Sequence, residues 1–292
     1  MTPDDPATPT VGGTALVLAG GGVAGIAWEL GVLRGLAEAD PATASRVLAA
    51  DVVIGTSAGA AVGAQITSGV PIEELYEAQL RPETAEIEVE LDAERLFADY
   101  RAAVEGASGP QDARRRLGAM ALAAQTVAPE VRLAAIDARL PVKDWPERRL
   151  LIVAVDADTG EPVSFSRDSD VSLRDAVAAS CAVPGVWPPV TIAGRRYVDG
   201  GMRSLTNADL ATGAERVLVV KPTAEDAPQP WGDFAAEQAA LGPAGVHVIC
   251  ADPPSLSAIG FNPLSPAVRA PSARAGRAVG AAQAAAVAGL WR

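Results

Sequence analysis

Short runs of aliphatic and β-branched residues, mostly without charge, recur along the chain, separated by longer stretches with a helical spacing of apolar residues. Such runs are typical of strands buried on both faces of a sheet, because a strand with one solvated face alternates apolar and polar positions. They predict strands over 14–19, 52–54, 150–155, 216–220 and 246–250, a weaker strand over 162–166, and a hairpin formed by 190–193 and 196–198.

Helical patterns lie between the predicted strands, over 26–39, 60–67, 72–80, 172–182 and, in an Ala-rich closing segment, 266–290. Residues 82–139 also have a helical pattern but are strongly charged, which indicates solvated helix faces, with a lid over an active site as the alternative. Because buried strands alternate with helices, we expect an α/β fold whose mostly parallel central sheet is covered on both faces.

The composition narrows the class of protein. The 292-residue chain is 49% hydrophobic but only 4% aromatic, so we expect an aliphatic, Ala-rich core. The net charge of −12 predicts no nucleic-acid partner, since such a chain repels polyanions. Cys181 and Cys250 both lie in apolar sequence, which indicates buried free thiols in place of a disulfide framework or a metal site.

We find no pattern of a targeting segment or of a membrane span in this sequence. Residues 1–13 are Pro-rich and acidic and lack the basic start and apolar core of a signal peptide, so we expect a disordered tail. Of two charge-free stretches, 55–72 consists mostly of small residues, and 278–291 is shorter than the ~20 apolar residues that a membrane span needs. We therefore predict a cytoplasmic protein.

The segment 253–292 is the one basic part of an acidic chain. It contains no acidic residue after position 252 but has four arginines, Arg269, Arg274, Arg277 and Arg292. One interpretation is transient contact with an anionic membrane surface. The interpretation that we favour is a helix that packs across the sheet with its arginines in water.

The sequence Gly55-Thr56-Ser57-Ala58-Gly59 matches Gly-x-Ser-x-Gly and joins a predicted buried strand to a predicted helix. This is the context of a nucleophile elbow, in which a sharp turn presents the serine hydroxyl to a substrate. Gly55 and Gly59 are needed because a tight turn brings neighbouring backbone too close for a Cβ. Ser57 is therefore a candidate nucleophile, and an ordinary small-residue turn is the alternative.

A serine nucleophile needs a base, and the one histidine, His247, lies within a predicted buried strand, where a histidine is usually a core residue. We therefore expect a carboxylate base. Asp199 is the favoured candidate, because it follows a predicted strand and precedes two glycines, where a turn would expose it at the end of the sheet. Asp156 and Asp158 are the rival carboxylates, and a plain Asp-Gly turn is the other interpretation of Asp199.

The glycine-rich segment 20–25 lies between a predicted strand and a predicted helix. Consecutive glycines let successive N–H groups turn toward one point near the positive end of a helix, so this loop is a candidate oxyanion hole for chemistry at Ser57. The segment also matches the dinucleotide motif Gly-x-Gly-x-x-Gly, which requires an acidic residue at the end of the next strand. Asp40 lies at a helix stop and Asp51 begins a strand, so we expect no cofactor.

The glycine loop, Gly-x-Ser-x-Gly and Asp199-Gly200-Gly201, in that order and without a catalytic histidine, resemble the patatin-like phospholipase family. Residues 179–185 (Ala-Ser-Cys-Ala-Val-Pro-Gly) and 272–276 (Ser-Ala-Arg-Ala-Gly) are similar to its bacterial branch. The resemblance implies a three-layer α/β/α sandwich, with a catalytic domain over 14–212 and an extension over 213–292 that completes the same domain.

The resemblance also implies a Ser–Asp dyad that hydrolyses lipid acyl esters through an acyl-enzyme, without a metal or cofactor. By motif, Ser57 is the nucleophile and Asp199 the base, Gly20, Gly21 and Gly22 lie in the oxyanion loop, and Gly25, Gly55, Gly59, Gly200 and Gly201 are motif glycines. Many members have Arg or Lys where this chain has Ala24, so the choice between phospholipids and other acyl esters stays open. An acyltransferase with the same dyad and a binding protein without turnover are the alternative functions.

Overall fold

The computed structural model describes residues 12–227 and 232–291. Within these residues, eight strands form one mixed sheet in the order β5-β6-β3-β2-β1-β7-β8, with β4 paired to β3 beyond this path. The strands are β1 (Thr14–Leu18), β2 (Val52–Thr56), β3 (Arg149–Asp156), β4 (Pro162–Phe165), β5 (Val190–Ile192), β6 (Arg195–Asp199), β7 (Arg216–Lys221) and β8 (Gly245–Cys250).

Eleven α-helices lie in the described part of the chain. They are α1 (Gly22–Ala39), α2 (Pro41–Leu48), α3 (Ala58–Ile66), α4 (Ile72–Leu80), α5 (Ala93–Val104), α6 (Pro110–Ala123), α7 (Pro129–Arg139), α8 (Leu173–Ser180), α9 (Phe234–Ala240), α10 (Pro253–Ile259) and α11 (Arg269–Leu290). Short 3-10 turns are formed by Arg167–Ser169, Gly200–Met202, Ala208–Ala211 and Pro266–Val268.

The sheet lies between two layers of helices, which confirms the predicted three-layer α/β/α sandwich. Strands β3, β2, β1, β7 and β8 run parallel, and β4, β5 and β6 add an antiparallel region at one side. In β1, Leu16 and Leu18 pack in a core with α1, α3, α8 and α11. Ala15 and Val17 point to the other face, toward the turn Ala208–Ala211 and Leu241, next to α9.

The two longest helices, α1 and α11, pack with their backbones in contact. A Cβ on Gly31 or Gly35 would overlap the carbonyl oxygens of Ala273 or Arg277, and a Cβ on Gly276 or Gly280 would overlap those of Trp28 or Val32. Only glycine permits this approach on both sides. Because α1 begins at the glycine loop, the closing helix supports the element that carries a candidate part of the site.

The prediction of helix throughout 82–139 is wrong in part, because residues 81–92 form no regular secondary structure before α5, α6 and α7. The sequence interpretation also missed the short helices α2, α9 and α10. Asp40 does end α1, but its carboxylate then caps α2 by accepting from Thr43 N at 3.0 Å, with Pro41 in the first turn.

The basic segment differs from the favoured interpretation at one arginine. Arg269 is buried, and its guanidinium donates to the carbonyl oxygens of Ala78 and Arg81 at 2.6 and 3.2 Å. Arg277 forms an ion pair with Glu38 across the α1–α11 interface at 2.6 Å, and Arg274 is exposed. Arg292 lies outside the described residues. The arginines of α11 therefore serve partly as packing contacts.

Three further predictions concern the N-terminal tail, the two cysteines and membrane-spanning helices. The predicted tail lies outside the described residues except for Gly12 and Gly13, and the Gly13 carbonyl accepts from Glu215 N at 2.7 Å. Cys181 is buried as expected, but Cys250 is only half-buried, at the end of β8. Among the described helices, none is both long and apolar enough to cross a bilayer.

Candidate active site

Ser57 stands at a sharp turn between β2 and α3. Its φ of 52° and ψ of −109° lie outside the regions that non-glycine residues usually adopt. A Cβ on Gly59 would overlap the carbonyl oxygen of Leu18, and one on Gly55 would overlap the backbone of α3. The two motif glycines thus let β1, β2 and α3 meet closely enough to hold Ser57 in its strained conformation.

A side chain from α8 fixes the peptide groups around Ser57. The Ser180 hydroxyl accepts from Ser57 N at 2.9 Å and donates to the carbonyl oxygen of Val153 at 2.6 Å. The Cys181 thiol donates to the carbonyl oxygen of Ser57 at 3.2 Å. The turn is therefore anchored to β3 and α8 as well as to β1.

Asp199 reaches the level of Ser57 through the register of the sheet. Strand β6 runs antiparallel to β3, but Asp199 pairs with Ala154, and the adjacent Val153 pairs with Thr56 of β2. The carboxyl group is 2% exposed, so the expectation that the turn exposes it is wrong. Asp199 therefore lies at the edge of the sheet where the parallel strands end, and its side chain is buried there.

The Asp199 carboxyl is buried and has one oxygen without a hydrogen-bond partner among the described residues. Oδ1 accepts from Gly201 N at 2.7 Å, whereas Oδ2 is buried without a standard hydrogen-bond partner among the described residues. Burial raises the pKa of Asp199 to about 7, against the opposing effects of the Gly201 N–H, the Ser57 hydroxyl and the Arg132 charge. The Ser57 hydroxyl is thus near enough to affect the pKa of the carboxyl, although no hydrogen bond joins the two groups among the described residues.

The loop 204–207 ties together the three candidate parts of the site. Its Leu205 carbonyl accepts from Gly20 N at 2.8 Å, and buried Asn207 donates to the Thr56 hydroxyl at 3.0 Å. The loop directly follows the turn Gly200–Met202 that begins after Asp199. The relative positions of the glycine loop, the serine and the aspartate therefore depend on one short buried segment.

The glycine loop offers two of its three predicted N–H donors. Gly20 N is occupied by Leu205, whereas no hydrogen bond from Gly21 N or Gly22 N is found within the described chain. Gly22 begins α1 with a φ of 65°, a conformation that favours glycine, and it lines the cavity in front of Ser57 together with Ala58. Gly21 and Gly22 are therefore the available donors of the predicted set, with Ala58 N beside them at the start of α3.

The rival bases lie elsewhere or are engaged. His247 is in β8, three strands from β2, and its Nε2 is 3.0 Å from Gln283 Oε1. Asp156 accepts from Arg195 at 2.8 Å and from Thr159, and although burial opposes the shift, these bonds lower its pKa. Asp158 pairs with Arg196. None of these three groups lines the cavity at Ser57.

The cavity in front of Ser57 is too small for a lipid substrate. Its volume is about 10 Å³, roughly the space for a single water molecule. A cavity of about 530 Å³ lies next to it and shares Val23 and Arg139 with it. A third cavity, of about 780 Å³ between α6 and α9, contains no candidate site residue. Substrate entry therefore requires the covering side chains to move.

Two arginines of α7 line the Ser57 cavity, and the sequence interpretation missed both. Arg139 forms a buried ion pair with Glu86 at 2.7 Å, whereas Arg132 lies over the Trp187 ring at 3.8 Å. Burial and repulsion from Arg139 lower the pKa of Arg132 to about 9. A signal was present in the sequence, because Arg132, Ala135, Ile136 and Arg139 follow the i, i+3, i+4, i+7 spacing of one helix face.

The described residues contain no cluster of three or more side chains suited to hold a metal ion. The acidic residues considered for a dinucleotide are both engaged in local structure. Asp40 caps α2, and Asp51 accepts from the backbone N and the hydroxyl of Thr14 at 2.7 and 2.9 Å. Neither carboxylate lines the Ser57 cavity.

The structure thus brings an elbow serine, a buried carboxyl and a glycine loop together on a three-layer sandwich, and these are groups that serine-nucleophile chemistry uses. The sequence model of the patatin-like phospholipase family matches residues 16–212, and the chain belongs to that family.

Two solved structures are similar to this chain at low identity. VipD from Legionella pneumophila is 15% identical with a TM-score of 0.44, and the match covers 95% of this chain and 67% of VipD. The type III effector protein ExoU is 17% identical with a TM-score of 0.37, and the match covers 93% of this chain and 53% of ExoU. Comparison with curated protein sequences gives no match.

Proposed function

We propose that this protein hydrolyses carboxylic ester bonds of lipids by means of a Ser57–Asp199 dyad. The observation that carries the proposal is the placement of Asp199, a buried carboxyl with Oδ2 unpaired, near enough to the hydroxyl of a strained elbow serine for that hydroxyl to lower its pKa. The position of His247, three strands away, favours a carboxylate base over an imidazole. Family membership supports lipid esters as the substrate class.

In the acylation step, Ser57 Oγ attacks the ester carbonyl carbon while its proton passes to Asp199 Oδ2. The negative charge on the carbonyl oxygen is stabilised by Gly21 N and Gly22 N, near the positive end of α1. The tetrahedral intermediate then collapses, the C–O bond to the alcohol breaks, and Asp199 returns its proton to the departing alkoxide. The product is an acyl group on Ser57.

In the deacylation step, a water molecule attacks the acyl carbon and gives its proton to Asp199. The bond to Ser57 Oγ breaks, the fatty acid leaves, and Oγ regains a proton from Asp199. A pKa of about 7 suits both directions, because near neutral pH the carboxyl is found in both protonation states.

Transient contact with a membrane surface remains part of the proposal. Phe261 is fully exposed in the loop after α10, and three residues later Leu264 lines the Ser57 cavity. A loop with an exposed aromatic residue at one point and a covering side chain at another is suited to couple lipid contact to opening of the cavity.

A fluorophosphonate probe tests the proposed function. We expect the probe to form a covalent bond with Ser57 Oγ, identified by mass spectrometry of the labelled peptide, and to react much more slowly with the Asp199→Asn variant. Folded protein that is not labelled would favour a binding protein without turnover. For labelled protein, product analysis with an added acceptor alcohol separates hydrolysis from acyl transfer.

The pH dependence of the reaction tests the base. Asp199 must be deprotonated before it accepts the Ser57 proton, and burial raises its pKa to about 7. We expect kcat/KM for a neutral p-nitrophenyl ester to rise about tenfold per pH unit below pH ~6 and to level off above pH ~8. A rate that does not change over this range would contradict the assignment of Asp199.

The same pKa has a consequence for stability that serves as a control. Because the folded pKa is raised above the unfolded value of 3.8, this carboxyl contributes stability at low pH that is lost as pH rises through about 7. Asp199→Asn removes the ionisation. We therefore expect the variant to gain in melting temperature relative to the wild type as the pH is raised from acidic to mildly alkaline.

A further inference from the structure

Arg132 is a buried cation whose hydrogen-bonding capacity is not used. The side chain is 5% exposed, and its Nε and Nη1 atoms are inaccessible and have no acceptor among the described residues. Buried guanidinium groups are normally paired, so an unpaired one in a native fold requires an explanation. This residue lines the same cavity as Ser57, which places the unused donors beside the candidate chemistry.

The charges around the cavity leave Arg132 without a committed partner. The neighbouring Arg139 is neutralised by Glu86, which accepts from its Nε and Nη2 at 2.7 Å each. The Asp199 carboxyl attracts Arg132 but forms no hydrogen bond with it, and it is needed as the base in the proposed function. Once Asp199 has accepted the Ser57 proton in the proposed acylation step, the charge of Arg132 is no longer compensated within the cavity.

We propose that Arg132 is a phosphate-binding residue, which takes the phosphodiester of a glycerophospholipid whose acyl ester reacts at Ser57. The inference rests on the proposed function and names its substrate class. The Arg132 Cζ atom lies 3.8 Å over the centre of the Trp187 ring, a contact that restrains the side chain, and the fork of N–H donors of a guanidinium suits two phosphate oxygens.

Two substrates with the same acyl chain test the proposal in the whole protein. Oleoyl lysophosphatidylcholine and monoolein share the glycerol ester and differ in the phosphodiester head group. We expect Arg132→Met to lower the ratio of their kcat/KM values about tenfold or more, the effect of losing a charge-assisted hydrogen bond. Arg132→Lys keeps the charge without the fork, and we expect it to retain part of the ratio.

The control is Arg274→Met, which removes the same charge from the exposed face of α11. The ratio should not change in this variant. An unchanged ratio in Arg132→Met would overturn the proposal, because a residue that only tunes Asp199 would affect both substrates equally. An equal fall in Arg274→Met would also overturn it, since the effect would then be attraction to the lipid surface. We expect Arg132→Met to fold, because it removes an unpaired buried charge.

A binding measurement separates failure of this inference from failure of the proposed function. Calorimetry below the critical micelle concentration compares dodecylphosphocholine, dodecyl maltoside and inorganic phosphate on the Ser57→Ala variant, with and without Arg132→Met. We expect only dodecylphosphocholine binding to depend strongly on Arg132. Equal binding to both proteins, or Arg132-dependent binding of inorganic phosphate alone, would overturn the lipid assignment. Arg132-dependent binding without hydrolysis by the wild type would contradict the proposed function and leave the phosphate site supported.

Discussion

Replacing Ser57 with alanine is expected to lower kcat/KM for a p-nitrophenyl acyl ester by about 10⁴-fold or more. Without Oγ no acyl-enzyme forms, and the donors of the glycine loop can then assist only direct attack by water. The fold should be retained, because alanine keeps the Cβ of the elbow residue and removes only the hydroxyl. Residue 57 as a whole is 7% exposed. Initial rates together with a melting curve check both statements.

Two further variants test the explanation of this result. Ser164→Ala makes the same chemical change at an exposed serine of β4 and should not affect the rate. Ser57→Gly should lose activity equally but melt at a higher temperature than Ser57→Ala, because a φ of 52° suits glycine better than a residue with a Cβ. Full activity in Ser57→Ala would exclude this serine from the mechanism.

Replacing Gly280 with leucine is expected to destabilise the fold by about 3 kcal/mol or more, and much of the protein should become insoluble. Its Cβ would overlap the carbonyl oxygen of Val32 in α1, so the two helices would have to separate along their whole contact. Separation exposes the buried face of α1, including Trp28 and Leu36. Solubility on expression and the midpoint of urea unfolding measure the effect.

The same helix provides a matched control for Gly280. Gly289 is exposed, and a Cβ built there meets no atom within 4 Å. Gly289→Leu should therefore be neutral or stabilising, because leucine has a higher helix propensity than glycine. If Gly280→Leu is as stable as Gly289→Leu, the glycine contact between α1 and α11 does not hold the fold together.

The strands could be predicted from the sequence because a central parallel strand leaves a clear local signal. Runs such as 52–54 and 217–220 contain no polar residue that must face water, and they lie in strands of the structure. The order and direction of the strands leave no such signal. Asp199 reaches the level of Ser57 because β6 pairs antiparallel with β3 in one particular register, which depends on contacts between residues far apart in the chain.

The residues of the candidate site likewise differ in how far they could be predicted from the sequence. Ser57, Asp199 and the glycine loop belong to short motifs whose residues are neighbours in sequence, so each could be proposed before the fold was known. Arg132 and Ser180 contact residues far away in sequence, and their positions depend on which helix covers which strand.

The spacing of the glycines offered some information about the packing of α1 and α11. Gly31 and Gly35, like Gly276 and Gly280, are four residues apart, which is the spacing of one helix face.

The pairing of α1 with α11 also determines when folding can finish during synthesis. Helix α1 leaves the ribosome long before residues 269–290, which form the surface that covers its glycines. Contacts between such distant segments form late, and an uncovered apolar helix is prone to aggregate in the meantime. The glycine loop at the start of α1 therefore acquires its final support only after residues 269–290 have been translated.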